Sequence, residues 1–419
     1  MLASRVPPSL LQLDGIMQQR RSELESILSS CHSSDGTQRI VSTKLIRQLD
    51  RLKRVLSSSL AQLDEQGLSR LHHAVIERDT ARLEYLLQAG MDHEAAVGEL
   101  AVRPLHLSVL SGDEAPECLE ALLHAGADPD ATDARGTTPL IAAAALNLPY
   151  CTARLLHHGA SPDKAGADGV RALHMTGATN AAEAAQVLLK NGAMVGVRDE
   201  GGRSALHAAA AHDASEVLEE VVDAGADIEW SDGDGRRPIH FAVSACSCSD
   251  PKCPRTRALS FLLQMGASVD AEDHEGWRPL HIAAERNRLA AVNMLLAAGV
   301  DPNACGPNGT PPLTVAAYGG ADATVERLLL AGAAHDAPDT HGGTPLHAAA
   351  AGGNKRALKL LLRVGALPDT IDDVGRNAVH YAASGGCSKC IRALRKASAN
   401  LELANDFGWT PLHVASSAP

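Results

Sequence analysis

An all-α solenoid of stacked helix pairs, preceded by a separate helical segment, is the fold class that the sequence predicts. Three observations point to it. At 419 residues the chain exceeds what one hydrophobic core usually organises, so it has to divide or grow by repetition. Apolar residues make up 45% of it but aromatic ones only 2%, a composition suited to thin Ala- and Leu-rich helices packed closely rather than to a thick globule. The third observation is a recurring apolar anchor: Leu71, Leu105, Leu140, Leu173, Leu206, Ile239, Leu280, Leu313, Leu346, Val379 and Leu412. The first two steps are 34 and 35 residues, and every later one is 33 except a step of 41 between Ile239 and Leu280.

One unit shows how the repeat folds. In "DTHGGTPLHAAAAGGNKRALKLLLRVGALPD", residues 339–369, Thr344 can cap a helix N-terminus, and Pro345 suits its first turn. Ala348, Ala349 and Ala350 keep that helix thin enough for close stacking. The run Leu358 to Leu362 supplies the apolar stripe of a second helix, and Gly365 ends it where a left-handed backbone is needed. Each helix pair buries its faces only against its neighbours, so stability is shared along the array and a concave surface stays free.

The unit D-x-x-G-x-T-P-L-H-x-A-A followed by "LL" and "GAD" resembles the ankyrin repeat family. The resemblance covers residues 64–419, as ten complete units and an eleventh cut off after "WTPLHVASSAP", with the eight-residue excess of the long step placed around 246–253. It implies helix-turn-helix units with short β-hairpin fingers and a non-enzymatic scaffold or adaptor that binds a partner protein through the concave surface. It also gives His72, His106, His174, His207, His240, His281, His347, His380 and His413 a structural duty, hydrogen bonding at the turn and helix start. The cut-off eleventh unit predicts a partly uncovered apolar face on the tenth.

Residues 1–63 read differently. Leu10, Leu13, Met17, Leu24 and Ile27, and then Leu45, Leu49, Leu52, Leu56 and Leu63, recur at the spacing of two amphipathic helices. The turn-rich "SSCHSSDGT" separates them. The pair reads either as a hairpin capping the first repeat or as an arm for docking or self-association through residues 10–63. This segment has nine Lys or Arg against five Asp or Glu, a net of +4, so the remainder carries −16 of the overall −12. A chain so acidic is not a nucleic-acid platform.

Nine irregularly spaced cysteines do not form a secreted disulfide framework, and no run has the roughly 18 apolar residues of a spanning helix. The expectation is an intracellular protein of the cytoplasm or nucleus, without a membrane partner. Phosphate-binding, metalloprotease, hydrolase and dinucleotide signatures are all missing, and "CSKC" at 387–390 lacks the βαβ surroundings of a redox enzyme. No catalytic residue and no required cofactor is expected.

The long step carries "SACSCSDPKCPRT". Cys246, Cys248 and Cys253 could supply three ligands of a tetrahedral zinc site, with His212 of the preceding repeat as the fourth. The alternative is a loop of free thiols that touches a partner directly, or does nothing. A metal-stabilised binding module is therefore the second reading of the chain.

The resemblance places partner contacts at the residue after each fingertip glycine and at the end of each first helix. Residue by residue these are Arg203, Arg236, Trp277, Arg376 and Trp409 at the tips, and Glu285, Arg286 and Tyr318 at helix ends. Arg and Trp are common hot-spot residues, and two of the three tryptophans occupy this one variable position. The competing reading is that Trp277 and Trp409 only cover adjacent fingers. A strip of Arg203, Arg236 and Trp277 would suit an acidic segment with aromatic or apolar residues. Finally, "LLAAGVDPNA" at 295–304 resembles repeats whose hairpin asparagine is hydroxylated, which points to Asn303.

Overall fold

The computed structural model describes residues 69–417 apart from 99, 114–115 and 246–255. The two helices expected before residue 64, and Cys246, Cys248 and Cys253, lie outside the described residues. Twenty-one α-helices follow one another in pairs. They are α1 (Arg70–Ile76) and α2 (Thr80–Gln88), α3 (Pro104–Leu110) and α4 (Glu117–His124), α5 (Pro139–Ala145) and α6 (Pro149–His157), α7 (Ala172–Thr179) and α8 (Ala182–Lys190), and α9 (Ala205–His212) and α10 (Ser215–Asp223). Then come α11 (Pro238–Ala245) and α12 (Arg257–Gln264), α13 (Pro279–Glu285) and α14 (Leu289–Ala297), α15 (Pro312–Gly319) and α16 (Asp322–Leu330), α17 (Pro345–Ala351) and α18 (Lys355–Val364), and α19 (Ala378–Ser384) and α20 (Ser388–Lys396). Helix α21 (Pro411–Ser417) has no second helix among the described residues.

The chain divides into two compact units, Met1–Gly233 and Asp234–Pro419. In the first, α1, α3, α5, α7 and α9 pack in succession as one layer, and α2, α4, α6, α8 and α10 as the other. In the second, the odd-numbered helices α11 to α21 stack in the same way, with α14, α16, α18 and α20 behind them.

The apolar anchors explain this order. Every one from Leu71 to Val379 is at most 1% exposed, whereas Leu412 is 78% exposed on α21. Paired alanines such as Ala143 and Ala144, Ala209 and Ala210, and Ala349 and Ala350 are fully buried between successive first helices. With nothing larger than a methyl group there, the helices approach closely. One close approach uses no side chain at all: a Cβ built on Gly177 of α7 would lie 2.7 Å from the Ala205 carbonyl oxygen and 2.8 Å from the Ala209 nitrogen of α9.

Gly365 ends α18 in the left-handed region, at φ +111°, as its place in the repeat predicts. The fingers depart from the expected β-hairpins. Among the described residues they form no strands, and one isolated antiparallel bridge joins Val97 and Val102. In most fingers a side-chain oxygen takes amides that a ladder would use. Asp372 Oδ1 accepts from the N–H of Val374 at 3.0 Å and of Arg376 at 2.8 Å. Asp133, Asp273, Asp339 and Asn405 repeat the pattern with the residues two and four further on. Successive tips are linked by single backbone bonds, His274 N to Asp234 O at 2.9 Å and Asp373 N to His341 O at 3.1 Å among them. Gly306 replaces the aspartate in one finger, because a Cβ there would meet His281 Nε2 at 2.7 Å.

The repeated histidines hold the stack together, as the sequence pattern implies. In α7, α11, α17 and α19 the ring Nδ1 accepts the N–H of the residue that precedes the helix, Arg171, Arg237, Thr344 and Asn377, at 3.0–3.2 Å. On its other side Nε2–H donates to a carbonyl of the next repeat: His174 to Arg203 at 2.9 Å, His240 to Ala271 at 3.0 Å, and His380 to Trp409 at 3.0 Å. This arrangement fixes the neutral Nε2–H tautomer, since Nδ1 faces a donor and Nε2 an acceptor. Burial pushes the His72 and His281 imidazoles down to about 4, and lowers those of His106, His174, His240 and His347 as well. These rings are structural staples between repeats.

Candidate functional site

The fingertip arginines are built into their own turns. Arg203 Nε donates to Asp199 Oδ2 at 2.9 Å and its Nη2 lies 2.8 Å from the same oxygen. Arg376 repeats this with Asp372, Nε to Oδ2 at 2.8 Å, and adds Tyr381. Its Nη2 donates to the Tyr381 hydroxyl at 2.8 Å, that hydroxyl donates to Asp372 Oδ2 at 2.7 Å, and the guanidinium carbon stands 4.7 Å from the Tyr381 ring centroid. Burial alone would raise the Asp372 carboxyl. The Arg376 amide, the Tyr381 hydroxyl and the guanidinium outweigh it and hold the group below its ordinary value. The same burial, with the adjacent Asp372 charge, pushes the Tyr381 phenol up.

The result is a guanidinium oriented before any partner arrives. The aspartates are enclosed, with side chains 6% exposed at Asp199 and 1% at Asp372, while the arginines remain 42% and 39% exposed. An Arg held in this way keeps donors for a carboxylate while losing little further freedom on binding. Arg236 makes a looser set, with Nη2 2.6 Å from Asp234 Oδ2 and Nε 3.9 Å from Asp273 Oδ2.

Trp277 is half-buried, its Nε1–H donating to Glu275 Oε2 at 3.1 Å and its ring set edgewise on His281 at 6.0 Å. It therefore covers the helix start of its own repeat. Trp409 is 47% exposed, and at the helix ends Tyr318 is 62% exposed, Glu285 exposed and Arg286 half-buried. Arg203 belongs to the first compact unit, and Arg236, Trp277, Glu285, Arg286, Tyr318, Arg376 and Trp409 to the second.

The aspartate partners of Arg203 and Arg376, and Tyr381, were not among the residues expected to matter. A signal for the pairs is present in the sequence: Asp199 and Asp372 each precede their arginine by four residues, the span of the turn. Nothing local marks Tyr381.

Metal-ligating residues converge at one place among the described residues. Ligand atoms of Glu120, His124 and His158 lie within 4.8 Å of one another. The Glu120 carboxylate already accepts from Arg154 and from the Tyr150 hydroxyl, so a guanidinium holds the position a cation would need. His212, the expected fourth zinc ligand, donates its Nδ1–H to the Ala208 carbonyl at 2.9 Å, and the three cysteines proposed beside it lie outside the described residues. Asn303 is tied to the next finger, its Oδ1 accepting from Ala334 N at 2.8 Å and its Nδ2 donating to Gly332 O at 3.3 Å. No helix among the described residues is long and apolar enough to cross a membrane.

Comparison with known proteins agrees with this architecture. The family model for ankyrin repeats (3 copies) matches residues 105–199, 173–250, 206–305, 298–372 and 357–418. The chain is also 43% identical over 82 residues to NF-kappa-B inhibitor alpha of Sus scrofa and of Homo sapiens, which covers 19% of this chain and 26% and 25% of those proteins. The matched region thus spans about a quarter of the length of these relatives. With the family model covering the stack from α3 to α21, and the staple histidines, buried anchors and fingertip turns recurring in the same register, the chain belongs to the ankyrin repeat family.

Proposed function

We propose that this chain is a non-enzymatic scaffold or adaptor that binds a partner protein through its fingertip turns and first-helix ends, and that the partner segment is acidic with aromatic or apolar residues beside the charge. The observation that carries this reading is the pair of preorganised fingertip guanidiniums, Arg203 over Asp199 and Arg376 over Asp372. Both stay available for a carboxylate in a chain that is otherwise strongly acidic. Exposed Tyr318 and Trp409 supply apolar area on the second unit, where Arg376 also lies. Protein binding is the general duty of ankyrin repeats. The partner class is inferred from these side chains, since the likeness to NF-kappa-B inhibitor alpha covers too little of either chain to transfer a partner. All five described cysteines are free thiols, in keeping with the cytoplasm or nucleus.

The test is affinity capture from cell extract by the full chain, compared with Arg203→Gln, Arg376→Gln and a variant lacking residues 246–253. A partner bound through the fingertips should weaken by about tenfold to thirtyfold per arginine, the range of interface hot spots, and more steeply dependent on salt in the intact protein. Circular dichroism confirms that each variant keeps its helices. Partners that survive both arginine changes but vanish with the deletion would transfer the binding role to the cysteine-bearing insert and refute the fingertip reading. Bound zinc at one equivalent, lost in Cys248→Ser, would then identify the metal-stabilised form of that insert.

A further inference from the structure

Cys387 and Cys390 stand on consecutive ends of one helical turn. Cys387 is the residue before α20, half-buried, and its Sγ accepts the Cys390 N–H at 3.3 Å. Its own S–H donates to the Gly353 carbonyl at 3.5 Å, across to the turn between α17 and α18. Cys390 is fully buried, and its thiol hydrogen-bonds the Cys387 sulfur. Residues three apart on a first helical turn are neighbours, and their Cα spacing falls inside the range a disulfide spans. Helix α20 is nine residues long, so the positive end of its dipole lies at Cys387.

We propose that Cys387 and Cys390 form a reversible dithiol–disulfide site whose oxidant is a low-molecular-weight disulfide. The Cys387 thiolate attacks one sulfur of the reagent, forming a mixed disulfide and releasing one thiolate, which takes up the proton Cys387 gave up. Cys390 then loses its proton and attacks Cys387 Sγ, closing the protein disulfide and releasing the second thiol. In all, two protein thiols are oxidised and one small disulfide is reduced to two thiols.

The division of labour follows from position. Cys387 reaches solvent, so it is the thiol that a reagent can meet first. Cys390 cannot meet a reagent directly. Burial, the hydrogen bond to Cys387 and the Cys387 charge push its thiol up to about 12, and the Lys355 charge opposes them. The Cys387 charge disappears once Cys387 is capped by the mixed disulfide, which removes one of the causes that raise Cys390 before the second step. Oxidation also removes the S–H that Cys387 donates to Gly353, so the inter-repeat bond at this turn is lost. The next turn along is held by Asn354, whose Nδ2 donates to the carbonyls of Ala317 at 3.0 Å and Tyr318 at 2.5 Å. The disulfide therefore forms on the same edge of the stack as Tyr318.

The full chain is equilibrated in oxidised and reduced glutathione at graded ratios, its free thiols are trapped with N-ethylmaleimide, and the peptide bearing both cysteines is weighed by mass spectrometry. The expected result is a shift from the doubly trapped peptide to an untrapped one that is two hydrogens lighter than the free dithiol form, following a single two-electron transition. Exposed Cys305, alone in its finger, should carry glutathione only and serves as the internal reference. In Cys390→Ser the mixed disulfide on Cys387 should persist, and in Cys387→Ser, where serine still caps the helix, Cys390 should stay unmodified. A wild-type peptide doubly trapped at every ratio that modifies Cys305, or one that retains glutathione on Cys387, overturns the proposal without reference to any variant.

Discussion

Lowering the pH from 7 to 5 is expected to destabilise the repeat array by more than any single surface substitution. His72 and His281 have an ordinary value of 6.5 and a folded value of about 4. Between those limits the unfolded chain binds more protons than the folded one, so stability is full above 6.5, falls as the pH drops, and is lost completely near 4. At pH 5 each of these two rings alone withdraws about 2 kcal/mol. His106, His174, His240 and His347 are lowered by burial too and act in the same direction. Asp372 and Glu120, held below their ordinary 3.8 and 4.5, contribute only at lower pH, so they do not confuse this window.

The physical cause is the neutral tautomer of the staple. Protonation would put a charged ring in a desolvated position, and in α7, α11, α17 and α19 the added Nδ1 proton would also face the backbone N–H that Nδ1 now accepts. Urea unfolding at pH 7, 6 and 5 measures the effect. In His281→Gln the side chain no longer titrates, and its amide can still donate toward the Thr310 carbonyl that His281 Nε2 meets at 3.0 Å. The slope against pH should therefore shrink by about 2 kcal/mol across this range, the share of one staple. An unchanged slope in that variant would show that the acid sensitivity arises elsewhere.

The second large effect has the opposite sign to the one helix propensity gives. Gly to Ala inside a helix ordinarily stabilises by about 1 kcal/mol. At Gly177 the new methyl group would press on the Ala205 oxygen at 2.7 Å and the Ala209 nitrogen at 2.8 Å, with the Ala208 methyl at 3.2 Å. The first two are backbone atoms of a neighbouring helix and cannot rotate away, so α7 and α9 would have to separate. Overpacking of this kind costs about 2 kcal/mol, and opening one interface weakens the coupling between repeats on both sides. Gly319→Ala is the matched control. Its nearest neighbour would be the Glu285 carbonyl oxygen at 3.5 Å, an ordinary contact, so that change should be neutral or stabilising. If both variants unfold alike, helix propensity rather than inter-helix contact decides the outcome.

Much of this molecule was legible from local pattern. The 33-residue period located every first helix, because each anchor needs one buried place per repeat, and Pro345, His347 and Gly365 mark a start, a staple and a stop that depend on the residues around them. The hairpin strands were expected, and the fingers are instead turns, in most of which an aspartate four positions before the tip holds the tip's amide. The partner surface was legible only as positions. That Arg203 and Arg376 are oriented in advance while Trp277 covers its own repeat depends on which side chains the turns bring together.

The sequence by itself determined the repeat, its register, the buried anchors and the histidine staples, since each follows from a residue's own conformational preference or apolar character. Only the tertiary structure decided what those staples bond to, why Gly177 must lack a side chain, and that the Cys387 thiol reaches Gly353 while Cys390 stays hidden behind it. In each of these cases the partner is a backbone atom or a buried space contributed by the next repeat. Backbone atoms are chemically alike at every position, so no residue type in the sequence announces them, and they become specific only when two repeats are stacked at a fixed distance.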